Sequence, residues 1–190
     1  MRFVVLLGSV RRDRQGIKAA RYLERAFSAR GHDVTIVDPV ELNLPLLDRM
    51  FKEYPKGTAP SALEELAALY RSADGFIVVS GEYNHSIPPA LSNLLDHFLE
   101  EYFFRPSAIV CYSTGAFGGV RAAMQLRAML AELGMPSIPS LFPIPRIGAA
   151  FDDAGAPVDA KVIQRFERFS AELEWYAGAL SSARQRGVPY

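Results

Sequence analysis

Residues 2–7 read RFVVLL and residues 8–17 read GSVRRDRQGI, so an almost wholly apolar run passes directly into an arginine-rich loop. The run does not alternate with polar residues, which is typical of a central strand buried on both faces of a parallel sheet. Beyond the loop, apolar residues recur at spacings of three and four positions and predict a helix over residues 15–30. The chain therefore opens with a strand, a loop and a helix.

This pattern of short apolar runs and longer amphipathic stretches is repeated along the chain. Further strands are predicted at residues 33–37, 75–79, 107–112 and 136–141, and further helices at residues 61–71, from residue 89, at 118–133 and at 159–184. Residues 39–60 hold several prolines and are predicted to form an irregular surface excursion, after which Ser61 and Glu64 match a capping box. These elements predict an α/β fold: a three-layer, doubly wound, five-stranded parallel sheet of flavodoxin-like topology, in the order 2-1-3-4-5.

The composition favours one ordinary globular domain. The 190 residues are 49% hydrophobic and show no break in composition, so we expect residues 1–190 to form a single domain. Equal numbers of basic and acidic residues, 21 of each, leave no broad cationic field for a nucleic acid or an anionic membrane. No apolar run is long enough to span a bilayer and no signal-peptide pattern precedes the first strand, so a cytoplasmic protein is expected. The single cysteine, Cys111, lies in an apolar strand and is expected to be buried and unreactive.

Ligands of doubly wound sheets bind beyond the carboxyl ends of the strands, near the switch between strands 1 and 3. The loop after the first strand fits an anion there, because Ser9 offers a hydroxyl while Arg11 and Arg14 offer guanidinium groups. The backbone amides of Gln15, Gly16 and Ile17, at the start of the predicted helix, add further donors. Neither a P-loop nor the three-glycine dinucleotide motif is present, and a solvated basic turn is the alternative interpretation.

The loops after the third and fourth strands carry the other candidate residues. Residues 80–89 combine glycine, prolines, an aromatic ring and polar side chains, a mixture that suits a flat heteroaromatic ligand. Residues 113–119 contain three glycines, which allow a backbone to approach a ligand closely. An ordinary turn and a flexible connection are the respective alternatives. The candidate binding residues in these two loops are Glu82, Tyr83, Asn84, His85, Ser113, Thr114, Gly115 and Gly118.

Taken together, residues 2–140 resemble the NADPH-dependent FMN reductase family, which includes bacterial quinone, chromate and azo-dye reductases of flavodoxin-like fold. The resemblance is sharpest at EYNHSIP, residues 82–88, and extends to GSVR at residues 8–11 and GGVRA at residues 118–122. It implies an FMN cofactor whose phosphate lies in the first loop and whose isoalloxazine ring lies along the second, with the amides near Asn84 approaching its N5 edge. It also implies that the fourth-strand connection meets the pyrimidine end of the ring.

Two positions of the first loop depart from the family. The family often has serine and asparagine where this chain has Arg14 and Gly16, so Arg14 is expected to replace a hydroxyl contact with a charge.

The resemblance also implies the reaction. NADPH or NADH would reduce the flavin, which would pass hydride to a small-molecule acceptor: a quinone, an azo compound, a metal oxyanion or free flavin. Because the flavin carries the chemistry, no catalytic side chain and no metal site are expected. The alternative is a flavodoxin-type electron carrier without NAD(P)H oxidase activity, but such carriers are usually strongly acidic and this chain has a net charge of zero.

The resemblance further implies a homodimer or homotetramer. Tyr102, Phe103 and Phe104 are candidate subunit contacts and could equally belong to the core. Trp175, on the last predicted helix, is interpreted as core or subunit contact.

Overall fold

The computed structural model describes residues 1–152 and 154–190. In chain order its strands and helices are β1 (Arg2–Leu7), α1 (Gly16–Ala29), β2 (Asp33–Val37), α2 (Pro39–Leu42), α3 (Ser61–Ser72), β3 (Gly75–Gly81), α4 (Pro89–Asp96), β4 (Ser107–Tyr112), α5 (Val120–Glu132), β5 (Ser137–Ile144) and α6 (Ala160–Gln185). Short 3₁₀ helices lie at Phe51–Glu53, Glu100–Tyr102 and Ile147–Ala149. The alternation of strands and helices agrees with the prediction.

The strands form one parallel sheet in the order β2-β1-β3-β4-β5, which confirms the predicted flavodoxin-like topology. In β1, Val5 lies opposite Ile36 of β2 on one side and Ile77 of β3 on the other. Val5 packs into the layer that contains α1 and α6, whereas Val4 packs into the layer that contains α3, α4 and α5. This burial on both faces explains why the apolar run of β1 does not alternate.

Two details of the elements differ from the prediction. The capping box of Ser61 and Glu64 is wrong, because the first turn of α3 closes on Pro60. The carbonyl of Pro60 accepts hydrogen bonds from the amides of Leu63 at 2.9 Å and Glu64 at 3.1 Å, so Ser61 is already helical. β5 continues past its predicted end to Ile144, since an edge strand tolerates prolines that cannot donate to a neighbour.

The excursion at residues 39–60 is more regular than predicted. It contains α2 and a 3₁₀ turn, and side chains of α4 hold it in place. Asn93 accepts a hydrogen bond from the amide of Leu47 at 2.9 Å and donates one to the carbonyl of Pro45 at 2.8 Å. These bonds fasten the excursion to α4.

The aromatic residues considered as subunit contacts lie in different environments. Tyr102 is fully buried within the core, so the core interpretation is correct for it and the contact interpretation is wrong. Phe103 and Phe104 are partly buried and pack against Tyr190. Trp175 is 68% exposed, so its interpretation as a core residue is wrong.

Cys111 is buried as predicted, and burial raises the pKa of its thiol to about 12. In the part of the chain that the structure describes, every helix is too short or too polar to traverse a membrane.

Candidate functional site

The carboxyl ends of β1, β3 and β4 meet at one edge of the sheet, where the three loops predicted to bind a ligand surround a cleft. Doubly wound sheets bind their ligands at this position. We call it the switch cleft. Its lining residues are Ser9, Arg11, Asp13, Arg14, Gln15, Gly81, Glu82, Tyr83, Tyr112, Ser113, Thr114 and Ile147.

The first loop brings an open helix N-terminus to the switch cleft. α1 starts at Gly16 with no side-chain cap from Gln15 and no acidic residue in its first turn. The amides of a first helical turn have no partner within the helix, and the helix dipole favours an anion beside them. Arg11 is exposed, and within the described residues its guanidinium forms no ion pair. This end of the cleft is therefore equipped for an anion.

Arg14 lines the cleft and also has a partner within the chain. Its guanidinium forms a two-pronged ion pair with the carboxylate of Asp38, at the end of β2, and also donates to the carbonyl of Ser9 at 3.1 Å. The side chains of Arg14 and Asp38 are only 16% and 4% exposed. Asp38 also accepts a hydrogen bond from the amide of Val40 at 3.0 Å and so caps α2. The pair therefore fixes the first loop to the neighbouring strand end.

The second loop contains a tight two-residue turn. The amide of Tyr83 donates to the carbonyl of Ser86 at 3.0 Å, and the amide of Ser86 donates back to Tyr83 at 2.8 Å. The central residues Asn84 and His85 have φ values of 49° and 63°, as in a type I′ turn. Asparagine and histidine enter this left-handed region more readily than most side chains. The amides of the two central residues take no part in the hydrogen bonds that close the turn.

Two side chains from the second loop and from α5 hold this turn in place. Gln125 donates to the carbonyl of His85 at 2.8 Å and accepts from the hydroxyl of Ser86 at 2.7 Å. Glu82 accepts hydrogen bonds from the amide of Arg121 at 3.1 Å and from its guanidinium at 2.8 Å. The carboxylate of Glu82 therefore occupies the N-terminus of α5. The start of α5 is thus occupied by a carboxylate of the chain, whereas the start of α1 has no side-chain cap.

The environment of Glu82 favours its charged form. Its side chain is 8% exposed, and this burial alone would raise the pKa of the carboxyl. The hydrogen bonds from Arg121 and the backbone amides outweigh that effect, so the pKa lies below its ordinary value of 4.5. A group whose pKa is lowered by folding stabilises the folded state above its ordinary pKa, and that contribution is lost as the pH falls through the folded pKa.

The variant Glu82→Gln tests this contribution. We expect it to lower the free energy of unfolding by about 1–2 kcal/mol at pH 7, because a charged acceptor is replaced by a neutral amide. The difference from the wild type should shrink as the pH falls below 4.5, where the wild-type carboxylate becomes protonated. Thermal unfolding of both proteins between pH 3 and pH 7 measures it. A difference that stays constant over this range would contradict the assignment.

The glycines of the third loop have distinct reasons to be glycine. Gly118 and Gly119 have φ values of 63° and 80°, and a Cβ at Gly119 would lie 2.7 Å from the carbonyl oxygen of Tyr112. These two positions are required by the backbone. A Cβ at Gly115, in contrast, would meet no atom within 4 Å, so the protein itself does not demand glycine there.

The predicted site residues fall into three groups: those that line the cleft, those that lie beside its lining, and one that is buried away from it. The lining includes Ser9, Arg11, Arg14, Gln15, Glu82, Tyr83, Ser113 and Thr114. Gly16 and Ile17 form the first turn of α1, Asn84 and His85 form the exposed turn, and Gly115 is exposed on the third loop. Gly118 is buried against residues 143–145 and is not part of the lining.

Five residues of this region are not among those predicted from the sequence. Tyr112 and Gly81 end apolar strands, and Ile147 lies on a 3₁₀ helix that no motif indicates. Asp13 is an acidic residue within a basic loop. Asp38 could have been selected, because an acidic residue directly after β2 stands at the same sheet edge as the arginines.

The fold and site define a flavodoxin-like protein whose switch cleft offers donors for an anion. The family model of the NADPH-dependent FMN reductases matches residues 1–148. The chain belongs to this family. The expected identity as an FMN-dependent enzyme that uses NAD(P)H is thereby confirmed against the alternative of an electron carrier.

Individual relatives agree with this assignment. A quinone reductase of Escherichia coli strain K12 is 31% identical over 137 residues, which cover 70% of this chain and 71% of that protein. A quinone reductase of Pseudomonas putida is 31% identical over 160 residues, covering 80% and 81%. An NADPH azoreductase of Bacillus sp. strain OY1-2 is 28% identical over 140 residues, covering 73% and 74%.

Among solved structures, FerB of Paracoccus denitrificans, a flavoenzyme NAD(P)H:(acceptor) oxidoreductase, matches with a TM-score of 0.75 at 21% identity. The match covers 92% of this chain and 96% of that chain. A flavodoxin of Pseudomonas aeruginosa matches with a TM-score of 0.57 at 18% identity, covering 95% and 99%. At these identities the likeness concerns the fold.

The residues of the switch cleft fit FMN. A phosphate needs donors and positive charge, which the open start of α1, the guanidinium of Arg11 and the hydroxyl of Ser9 provide. A planar ring needs apolar or aromatic surface and backbone donors; Tyr83 lines the cleft, and the amides of Asn84 and His85 take no part in closing the turn. The charged groups suited to the phosphate thus lie on the first loop and α1, and the groups suited to the ring lie on the second loop.

Proposed function

We propose that this chain is a cytoplasmic NAD(P)H-dependent FMN reductase that passes reducing equivalents to quinones, azo compounds, metal oxyanions or free flavin. The observation that carries the proposal is the meeting of an open α1 N-terminus and a left-handed turn at one sheet edge. Relatives named quinone reductase and NADPH azoreductase support the choice of acceptors.

In this proposal the first loop holds the phosphate of FMN. Arg11 and Ser9 bind it together with the amides of Gly16 and Ile17 at the start of α1. Arg14 contributes through its pair with Asp38, because that pair keeps the loop in the conformation in which Ser9 and Arg11 face the cleft. Arg14 is thus a positioning residue in the first instance.

The other two loops hold the ring. Tyr83, Asn84 and His85 of the second loop and Ser113, Thr114 and Gly115 of the third loop would hold it. Glu82 acts through α5, by fixing where the turn stands relative to the third loop. The chemistry that FMN would supply when bound is the transfer of hydride equivalents from NAD(P)H to the acceptor. The protein groups bind and orient; none is required as a nucleophile.

Absorbance spectroscopy and steady-state kinetics test this function. The purified protein should carry a flavin spectrum that NADPH bleaches without oxygen and that menadione restores. Varying NADPH at several menadione concentrations should give the parallel double-reciprocal lines of a ping-pong cycle. A protein that binds FMN but does not oxidise NADPH would be an electron carrier, and a protein that binds no flavin would remove the proposal altogether.

We also infer that residues 1–190 form one domain that assembles as a homodimer or homotetramer. An exposed Trp175 and the partly buried Phe103 and Phe104 offer apolar surface for a subunit contact. Light scattering after gel filtration tests this inference. A sole species at the chain mass of 21.0 kDa would contradict it.

The variant Arg11→Ala is expected to weaken FMN binding about tenfold, because it removes charge-assisted hydrogen bonds to the phosphate. Arg12→Ala is the matched control, since Arg12 is the adjacent exposed arginine and does not line the cleft. Quenching of FMN fluorescence by the apoprotein gives both dissociation constants. Equal effects of the two substitutions would reduce the role of Arg11 to general surface charge.

A further inference from the structure

Tyr112, the last residue of β4, sends its phenol ring toward the start of α1. The residue is 8% exposed and lines the switch cleft. A Cβ at Gly16 would lie 2.7 Å from Cζ of this ring and closer still to its hydroxyl, and a Cβ at Gly81 would lie 3.2 Å from both atoms. Both glycines therefore border the space that the ring fills. The hydroxyl stands beside the first helical residue of α1.

The surroundings of this hydroxyl are polar. Ser9 and Tyr83 line the cleft together with Tyr112, and Oγ of Ser9 lies 3.4 Å from the hydroxyl of Tyr83. Burial raises the pKa of Tyr112, an effect that the Ser9 side chain only partly opposes. The phenol therefore keeps its proton at neutral pH and can act as a donor.

We propose that Tyr112 is a phosphate-binding residue: its hydroxyl donates a hydrogen bond to the FMN phosphate at the N-terminus of α1. The first helical residue, Gly16, has no side chain to offer, and Gln15 gives no side-chain cap. β4 thus adds a hydroxyl donor to those that the first loop and the α1 amides already offer. This inference rests on the proposed function for the presence of FMN.

The phenol ring of Tyr112 would pack in the same way if it only filled space and its hydroxyl did not bind the phosphate. The ring makes the close approaches to Gly16 and Gly81, whereas the proposal concerns the hydroxyl alone. Tyr112→Phe separates the two, because it keeps the ring and removes the oxygen. Riboflavin separates the phosphate from the rest of the cofactor, because it has the same ring system and ribityl chain without the phosphate.

The test measures dissociation constants of FMN and riboflavin for apoprotein of the wild type and of Tyr112→Phe, by quenching of flavin fluorescence. We expect the FMN constant to rise about tenfold and the riboflavin constant to stay within twofold. The ³¹P resonance of bound FMN should also shift between the two proteins. Tyr22→Phe is the control. Tyr22 is 8% exposed, like Tyr112, but it packs against Phe151 and Phe166 and is not part of the cleft lining.

Each other result overturns the proposal. An unchanged FMN constant would make Tyr112 a packing residue, and a tighter one would mean that the hydroxyl obstructs the phosphate. Equal weakening of FMN and riboflavin would place its effect on the ring or on the fold. A wild type that binds neither flavin would defeat the proposed function itself, a result distinct from a wild type that binds FMN and a variant that binds it equally well.

Discussion

Replacing Gly115 with valine is expected to release FMN from the protein and to abolish NADPH-dependent reduction. Gly115 lies on the third loop beside Thr114, which lines the switch cleft. A Cβ there would meet no protein atom within 4 Å, and its φ is not left-handed, so the fold accepts a side chain. If the loop backbone packs directly on the flavin, the added isopropyl group must enter the space of the ring. The FMN dissociation constant should then rise by at least about 100-fold.

The control for this variant is Gly178→Val on α6. A Cβ at Gly178 would make only an ordinary contact of 3.5 Å with Met1, and the residue is not part of the cleft lining. Thermal unfolding of both apoproteins shows whether either substitution disturbs the fold. A yellow Gly115→Val protein with wild-type turnover would place the third loop at a distance from the flavin.

The sheet could be predicted from the sequence because its signals are local. The apolar run of β1 reports burial on both faces by itself, and the alternation of strands with helices predicts a doubly wound parallel sheet. A turn at Asn84 and His85 could also be predicted, because these two residues stand between the end of a buried strand and a pair of prolines. Each of these inferences needs only neighbours along the chain.

The contacts that shape the site are non-local, and here sequence reasoning fell short. Nothing in the loop of Arg14 reveals that its guanidinium pairs with Asp38. Tyr112 continues an apolar run, and the sequence gives no sign that its hydroxyl lies beside Gly16. Trp175 fits an apolar helical stripe, yet α6 turns that side chain outward. In each case a residue's partner comes from a different element.

The pair of Arg14 and Asp38 gives the largest expected change in stability. Asp38→Ala leaves the nearly buried guanidinium of Arg14 without its carboxylate and removes the cap on Val40. Loss of one partner of a buried ion pair costs about 3 kcal/mol or more. For a chain of this size, that corresponds to a fall in melting temperature of roughly 6–12 °C. Thermal and urea unfolding of the apoprotein measure it.

The double variant Arg14→Met, Asp38→Leu shows why the single change is costly. With both charges removed, no unpaired ion remains, so most of the lost stability should return, less about 1 kcal/mol for the missing cap. Equal instability of the single and double variants would mean that the cap or the packing, and not the unpaired charge, sets the cost.

The single variant Arg14→Met distinguishes a positioning role of this arginine from a role as a direct phosphate ligand. A positioning residue is needed for the shape of the loop, so FMN binding should weaken to a similar extent at low and high salt. A direct phosphate ligand would instead behave like Arg11, with a loss that shrinks as salt screens the charge. Dissociation constants of FMN at about 0.05 M and 0.5 M salt decide between them. Since the carboxylate of Asp38 already engages both prongs of the guanidinium, we expect the salt-independent result.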